Sequence, residues 1–180
     1  IQAIAQGLYA CFSPKPIPGQ AGNGMHINMS VKCSNGTDKS EAFLAGVLAH
    51  VREITAFLNP TEESYRRFGE MKAPRYITWS PENRSQLIRI PAAKGEYRRI
   101  ELRSPDPTAN PYLAYALLIR AGLDGIQKGM LPPQPVNENL YTAPRSLTAA
   151  LEQLPGSLTE AKQIARSSPF VTAILPEAML

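Results

Sequence analysis

The chain has 180 residues, of which 43% are apolar and 19% are charged, which suits one globular domain with a core and excludes a disordered chain. No apolar run approaches the roughly 20 residues of a membrane span, and the start lacks a signal-peptide pattern, so we expect a cytoplasmic protein without membrane contact. The formal net charge of +4 makes the location of the basic residues informative.

The chain begins with IQAIAQGLYACF, which has no initiator methionine and has the pattern of a helix followed by a strand. We therefore expect a piece of a longer polypeptide, in which a site can be incomplete. Residues 7–14 predict the strand, which the segment SPKPIPGQ closes. Cys11 and Cys33 are too distant for a zinc knuckle and too few for a disulfide framework, so we interpret them as reduced core thiols.

Residues 22–30, GNGMHINMS, place one of only two histidines after a glycine-rich turn. Because successive side chains of a strand point to opposite faces, His26, Asn28 and Ser30 would share one face. The alternate residues, which are apolar, would share the other. The segment therefore predicts a strand with a single chemical face.

Several later segments have helical patterns. Apolar residues at helical spacing predict a helix that Ser40 caps and an Asn-Pro pair stops. Asn110 caps another helix with proline at its first position, and because apolar residues cover nearly all sides of this helix, we expect it inside the domain. Two shorter helices follow, and a capping box from Ser157 to Glu160 opens the second.

Nine of the twelve arginines lie between Arg52 and Arg103, which indicates a site rather than a diffuse basic coat. Most of them lie within or next to short strand-like segments at 75–80, 85–90 and 98–103. A nucleic-acid binder usually places such charges among exposed aromatics or along a helix, so we predict no nucleic-acid partner. For any single arginine, a solvated strand face remains an alternative.

The segment RRIELR places Glu101 between Arg99 and Arg103 on one face of a strand. Surface charge ladders have the same pattern. The pattern also suits a site for an anion and a metal ion, because guanidiniums bind phosphate or carboxylate oxygens, and a carboxylate with a histidine offers ligands to Mg²⁺ or Mn²⁺. At least five guanidiniums would suit a polyphosphate together with a carboxylic acid; the others are Arg67, Arg84 and Arg89.

Five motifs, in order, resemble the catalytic domain of bacterial-type glutamine synthetase: GNGMHINMS, NPTEESYRRF, APRYITWSPENRSQLIRIP, RRIELRSPDPTANPYLAYALLIRAGLDGI and NENLY. The resemblance covers essentially the whole chain. It implies an ATP-dependent ligase that phosphorylates the side-chain carboxylate of glutamate, after which ammonia displaces phosphate from γ-glutamyl phosphate to give glutamine. It also implies ATP and Mg²⁺ or Mn²⁺ as cofactors.

The resemblance also implies roles for matching residues. His26 and Glu101 look like two ligands of the metal that bridges the ATP phosphates. Glutamate would contact Gly22 and Arg103, and its carboxylate would meet Arg67. The group that holds the ATP phosphates and the charge on the transferred phosphoryl looks like Arg84, Arg89 and Arg99. Of all these, Arg67 and Arg84 are the expected catalytic residues, since phosphoryl transfer depends mainly on positioning and charge neutralisation.

The implied fold is α+β, a curved antiparallel sheet with helices packed on one side. Residues 1–180 would be a partial catalytic domain, and the absent first part of that domain and the N-terminal domain carry further metal carboxylates in the family. We therefore expect the piece alone to bind ATP weakly and to turn over nothing. Full-length members form large homo-oligomeric rings. Tyr141 matches a context that some bacterial members adenylylate, and a packed loop tyrosine is the alternative.

Several positions depart from the family pattern. Ala21 stands where an asparagine contacts the amino-acid end of the substrate, and Asn28 replaces a second histidine. Lys72, in FGEMKAP, stands where the family's flap has a glutamate that helps to deprotonate ammonium, and Glu70 is an alternative carboxylate nearby. A lysine is also expected just before RRIELR, where the chain has Glu96 with Lys94 close to it.

Two other functions stay open. A ligase of the same superfamily that joins glutamate to a larger amine would suit Ala21 and Lys72. The second is a non-catalytic homologue used for assembly, or a basic module that binds nucleic acid. The intact set of arginines, with His26 and Glu101, argues against a loss of chemistry.

Overall fold

The architecture is α+β, with one small sheet and helices against it. The computed structural model describes residues 1–93 and 97–180. In these residues, helices α1 to α7 are Gln2–Ala5, Ser40–Leu58, Glu62–Tyr65, Pro111–Lys128, Arg145–Thr148, Leu158–Ser167 and Pro169–Thr172. A final 3-10 turn spans Glu177–Met179. Strands β1 to β4 are Ile27–Met29, Trp79–Pro81, Ile88–Ile90 and Ile100–Leu102.

Strand β4 has a neighbour on each side. It pairs antiparallel with β1, where Asn28 is opposite Glu101. It also pairs antiparallel with β3, where Arg89 is opposite Glu101. This register places Arg89 beside the carboxylate of Glu101 and brings His26, directly before β1, close to the same group.

The predicted α+β class is confirmed, but the sheet is mixed rather than wholly antiparallel. Its order is β1-β4-β3-β2, and β2 and β3 run parallel. The loop between them explains the difference. Glu82 has a φ of 75°, and Asn83 Nδ2 donates to the carbonyl of Asn137 at 2.6 Å. A later segment thereby holds the loop, which leads the chain back to the start of β2, so that β3 runs in the same direction as β2. In a hairpin, the second strand would begin beside the end of β2 and run in the opposite direction.

The core joins helices α2 and α4 to one face of the sheet. Its fully buried members include Val47 and Ile54 of α2, Leu117 of α4, and Ile88 and Leu102 of the sheet. The predicted helix boundaries are close to those observed. Ser40 is the first residue of α2 rather than its N-cap, whereas the side chain of Asn110 caps α4 as predicted, and Ser157 accepts from Glu160 N.

Helices α2 and α4 approach closely at glycines. A Cβ added to Gly46 would lie 2.2 Å from the carbonyl oxygen of Ala121 and 2.7 Å from Gly125 N, which real structures do not allow. We expect Gly46→Ala to lower the free energy of unfolding by about 2 kcal/mol, because overpacking outweighs the better helix propensity of alanine. Urea denaturation measures this, with Gly156→Ala as the control, where the nearest atom is 3.6 Å away. Equal stability of both variants would contradict the close packing.

Three predictions about apolar segments are wrong. Residues 7–14 form no strand, since the described residues supply no neighbouring strand to pair with them. Cys11 and Cys33 are both free, but Cys11 is exposed and Cys33 is only half-buried, so neither is a core thiol. Helix α4 is buried on one side only, with Tyr112 84% and Ile119 52% exposed. No helix in the described ranges is both long and apolar enough to span a bilayer.

Candidate active site

A cleft of about 400 Å³ beside β4 brings most of the predicted site residues together. The predicted residues that line it are Gly22, His26, Arg67, Arg84, Arg89, Glu101 and Arg103. Arg99 does not line this cleft. It precedes β4, is exposed, and lines a small separate groove with Met29 and Ile90. Because the strand begins only at Ile100, its alternation does not extend to Arg99.

The carboxylate of Glu101 is the centre of the cleft. Its Oε2 accepts from Arg89 Nε at 2.7 Å and from Arg103 Nη1 at 3.2 Å. Its Oε1 lies 3.2 Å from His26 Nδ1. Burial alone would raise the pKa of Glu101, but the hydrogen bonds and charges of Arg89 and Arg103 outweigh burial and lower the pKa from 4.5 to about 2. The carboxylate is therefore ionised throughout the neutral range.

His26, directly before β1, faces the same carboxylate. Burial, followed by the charge of Arg103, lowers the pKa of His26 below 6.5, although Glu101 acts in the opposite direction. At neutral pH the imidazole is therefore uncharged and has the lone pair that a metal ligand requires. An ionised carboxylate and a neutral imidazole within hydrogen-bonding distance are a suitable pair of ligands for a divalent cation.

The residues present fit part of a metal site. His26 and Glu101 offer two ligands, and the described residues contain no group of three or more His, Cys, Asp or Glu that could hold an ion. Divalent cations usually take six or more ligands, some of them water or phosphate oxygens. The remaining protein ligands would therefore have to come from outside the described residues, as the family resemblance implies.

Arg67 depends on a buried carboxylate that the sequence reasoning missed. Asp106 is fully buried, and its Oδ2 lies 3.7 Å from Arg67 Nη1 and accepts from Asn59 Nδ2 at 2.9 Å. Arg67 Nη1 also donates to the carbonyl of Ser104 at 3.1 Å. The available signal was the segment SPDP directly after RRIELR, since an aspartate next to a buried strand needs a partner. Asp106 and the carbonyl of Ser104 thus hold Arg67 at the wall of the cleft.

The glycine-rich turn comes close to Arg67. A Cβ on Gly22 would lie 2.3 Å from the carbonyl oxygen of Pro14 and 2.9 Å from Arg67 Cγ. At Gly24, a Cβ would meet Arg67 Nη2 at 3.0 Å. Position 22 therefore requires glycine, and a side chain at Gly24 would displace the end of Arg67 slightly, which is a local reason for the spacing before His26.

The loop at residues 69–73 adds a cation to the cleft. Lys72 lines it, is exposed, and has a φ of 76°, and its carbonyl accepts from Arg103 Nη2 at 3.4 Å. Glu70 does not line the cleft and accepts from Lys15 Nζ at 2.9 Å. Ala21 lines the cleft without offering a polar side-chain atom. Among the described residues, Glu101 is thus the one carboxylate in the cleft lining.

Arg84 also lines the cleft. It is exposed, and its side chain has no hydrogen bond within the described part of the chain. The loop around it is fixed to the segment NENLY, because Leu140 N donates to Ser85 Oγ at 3.0 Å. In this segment, partial burial raises the pKa of Tyr141, although Arg103 opposes the rise. The predicted departure at Glu96, with Lys94, lies outside the described residues.

The state of Glu101 can be measured directly. We expect a ¹³C NMR titration of its carboxyl carbon to give a pKa well below the ordinary 4.5, and Arg89→Gln to raise it. Because the pKa of the folded state is depressed, the stabilisation is fully present above pH 4.5 and is lost as the pH falls towards about 2. An ordinary pKa that Arg89→Gln does not change would contradict the observed ion pairs.

Comparison with known proteins identifies the family. A family model described as glutamine synthetase, catalytic domain, matches residues 2–180. The chain belongs to this family. The resemblance predicted from the motifs is therefore confirmed.

Individual relatives agree with this assignment. Glutamine synthetase of Thermotoga maritima is 43% identical over 97% of this chain, which corresponds to 43% of that protein. The Pyrococcus abyssi enzyme is 43% identical over 99% of this chain and 44% of that protein. A solved structure described as "GmaS/ADP complex-Conformation 1" has a TM-score of 0.82 and 32% identity, and covers 97% of this chain and 44% of that one. The chain thus spans less than half of the length of these relatives.

Proposed function

We propose that this chain belongs to an ATP-dependent carbon–nitrogen ligase that makes glutamine from glutamate and ammonia through γ-glutamyl phosphate. The observation that carries the proposal is the approach of His26 Nδ1 to Glu101 Oε1, 3.2 Å, in a cleft lined by four arginines. The chain would supply the part of the active site that holds phosphate, metal ion and glutamate. The substrates, the cofactors ATP and Mg²⁺ or Mn²⁺, a cytoplasmic location and a homo-oligomeric ring all belong to the proposal.

In the first step, an oxygen of the glutamate side chain attacks the γ-phosphorus of ATP, and ADP leaves. Arg84 and Arg89 would neutralise charge on the phosphates, and Arg84 has no competing hydrogen bond within the described residues. Arg103 and the backbone at Gly22 would hold glutamate, while Arg67, fixed by Asp106, meets its carboxylate. A divalent ion at His26 and Glu101 would supply additional charge neutralisation at the phosphate oxygens. Arg99 joins this group only if its side chain reaches the cleft in a complex.

In the second step, ammonia attacks the acyl carbon and phosphate leaves, so the proton of an ammonium ion must first be accepted by some group. Lys72 cannot accept it while charged, and Glu101 is already held by two arginines. A larger amine would also have to lose a proton, so this gap does not decide between acceptors. The second candidate, a ligase for an amine larger than ammonia, is favoured instead by the small side chain of Ala21 in the cleft lining. Such an amine would occupy the space beside Ala21.

A chimera tests both candidates. This chain would replace the matching segment of Thermotoga maritima glutamine synthetase, and phosphate release from ATP and glutamate would be measured with ammonium or with a panel of amines. We expect ammonium-dependent release by the chimera and none by the 180-residue chain alone. Amine-dependent release without an ammonium response would replace the first candidate by the second. Silence with every acceptor, while the chimera remains folded, would refute both and favour a non-catalytic homologue.

A further inference from the structure

A second cleft, of about 610 Å³, shares no lining residue with the catalytic cleft. It lies where residues 75–77 meet residues 152–154, which are joined by an antiparallel bridge between Tyr76 and Gln153. We call it the bridge cleft. Its lining includes Arg52, Tyr65, Phe68, Arg75, Glu152 and Glu160.

Two opposite charges stand on one face of this bridge. Leu154 N donates to the carbonyl of Arg75 at 2.9 Å, and Ile77 N donates to that of Glu152 at 2.8 Å. Because side chains alternate along extended segments, the side chains of Arg75 and Glu152 lie on the same face, in diagonal positions. They form no ion pair with each other in the described part of the chain. A guanidinium and a carboxylate are therefore presented together and remain available.

The other contacts of these two groups are limited. Arg75 Nη2 donates to the carbonyl of Phe68 at 2.8 Å, which leaves the remaining N–H groups of its guanidinium without a partner among the described residues. The carboxylate of Glu152 is 67% exposed and lies 3.9 Å from Arg52 Nε. Glu160, by contrast, already accepts from Arg52 Nη2 and from Gly156 N, both at 2.9 Å. Glu152 is thus the carboxylate that a ligand could use.

The interior of the bridge cleft contains an unsatisfied polar group. Tyr65 is 7% exposed, and its hydroxyl has no hydrogen-bond partner within the described residues. Because this hydroxyl is enclosed by the protein, Tyr65 forms part of the floor of the cleft and offers no hydrogen bond to a ligand. Phe68 and Leu154, both buried, supply apolar surface beside it.

We propose that the bridge cleft binds a small zwitterionic α-amino acid with an apolar side chain. Its carboxylate pairs with Arg75, whose guanidinium has N–H groups without a partner among the described residues. Its ammonium group donates to Glu152, and its side chain packs on Phe68 and Leu154. A simple carboxylic acid or a simple amine satisfies only one of the two charges and binds more weakly.

One segment links the bridge cleft to the catalytic cleft. Tyr65 and Phe68 line the first, whereas Arg67, between them, lines the second. Arg75 also packs across Gly69, where an added Cβ would lie 2.9 Å from Arg75 Nε. Gly69 N bonds the carbonyl of Ala73 at 2.9 Å and closes the loop that carries Lys72. An amino acid that repositions Arg75 would therefore alter this loop.

The test uses the 180-residue chain and L-leucine as the probe, so that it does not depend on the proposed enzymatic activity. We expect saturable NMR shifts at residues 65–77 and 151–156. Arg75→Gln and Glu152→Gln should each weaken binding about tenfold or more, as the loss of a charged hydrogen bond predicts. The matched controls are Arg145→Gln and Glu177→Gln. They change exposed residues outside the bridge cleft and should not alter the affinity for L-leucine.

Two ligand analogues complete the experiment. 4-Methylpentanoate lacks the ammonium group and 3-methylbutylamine lacks the carboxylate, and each should bind at least about tenfold more weakly than L-leucine. Absence of saturation at about 20 mM L-leucine would overturn the proposal, as would binding that neither charge variant weakens. Equal affinity for the amine or the acid would overturn the zwitterion assignment. Glu152→Gln removes an exposed group, so it remains informative if Arg75→Gln fails to fold.

Discussion

Replacing Glu101 by glutamine is expected to reduce phosphate release by the chimera at least about a hundredfold, because one change removes the proposed metal ligand and the ionised partner of two arginines. Arg89 and Arg103 both donate to Glu101 Oε2. The glutamine variant keeps the size of the side chain but carries no charge. Steady-state phosphate release with saturating ATP and glutamate measures the effect.

Glu177→Gln is the matched control for this experiment. Glu177 begins the final 3-10 turn and is exposed, so that the same chemical change should leave the rate within about twofold. Circular dichroism of both variants separates catalysis from folding. A Glu101→Gln chimera with nearly unchanged activity would show that the carboxylate has a structural role only.

Asp106→Ala is expected to lower the free energy of unfolding by about 3–5 kcal/mol, because it leaves the buried guanidinium of Arg67 without its acidic neighbour. Arg67 is 3% exposed and Asp106 is fully buried. The same substitution removes one of the two acceptors of Asn59 Nδ2, the other being the carbonyl of Ser104. Urea denaturation of the 180-residue chain measures the loss.

Asp38→Ala provides the contrast. Asp38 pairs with Arg98 at 3.2 Å on the surface, where both side chains are at least 40% exposed. A pair of this kind contributes at most about 1 kcal/mol. If Asp106→Ala were no more destabilising than Asp38→Ala, Arg67 would not depend on a buried ion pair, and its position in the cleft would need another explanation.

Local sequence patterns predicted the elements whose determinants are themselves local. The cap at Asn110 and the helical spacing after Ser40 indicated the two long helices. The alternation in GNGMHINMS indicated β1, although the strand begins only after His26. For RRIELR, the sequence left a surface charge ladder and a binding site as equal alternatives. The burial of Glu101, 8% exposed, shows that this carboxylate does not belong to an exposed ladder.

Other features depend on contacts that no short segment contains. The loop that leads from β2 into the parallel strand β3 is held by the hydrogen bond from Asn83 to Asn137. Asp106 supports Arg67 from a different loop. The prediction placed Arg99 in the site because it assumed that side chains alternate along the whole of RRIELR. The sequence pattern does not show where the strand begins. The exposed side of α4 was missed for a similar reason, since apolar composition indicates what a helix can bury rather than what is present to cover it.

The central claim is that His26 and Glu101 hold one divalent ion together, and the two histidines of the chain allow a direct test. Mn²⁺ would be added to the 180-residue chain while the imidazole NMR signals of His26 and His50 are followed. Selective broadening of His26, which disappears in Glu101→Gln, is the expected result. His50, between Glu53 and Asp124, is the internal reference. Equal broadening of both histidines, or broadening of His26 that persists in Glu101→Gln, would contradict a shared metal site.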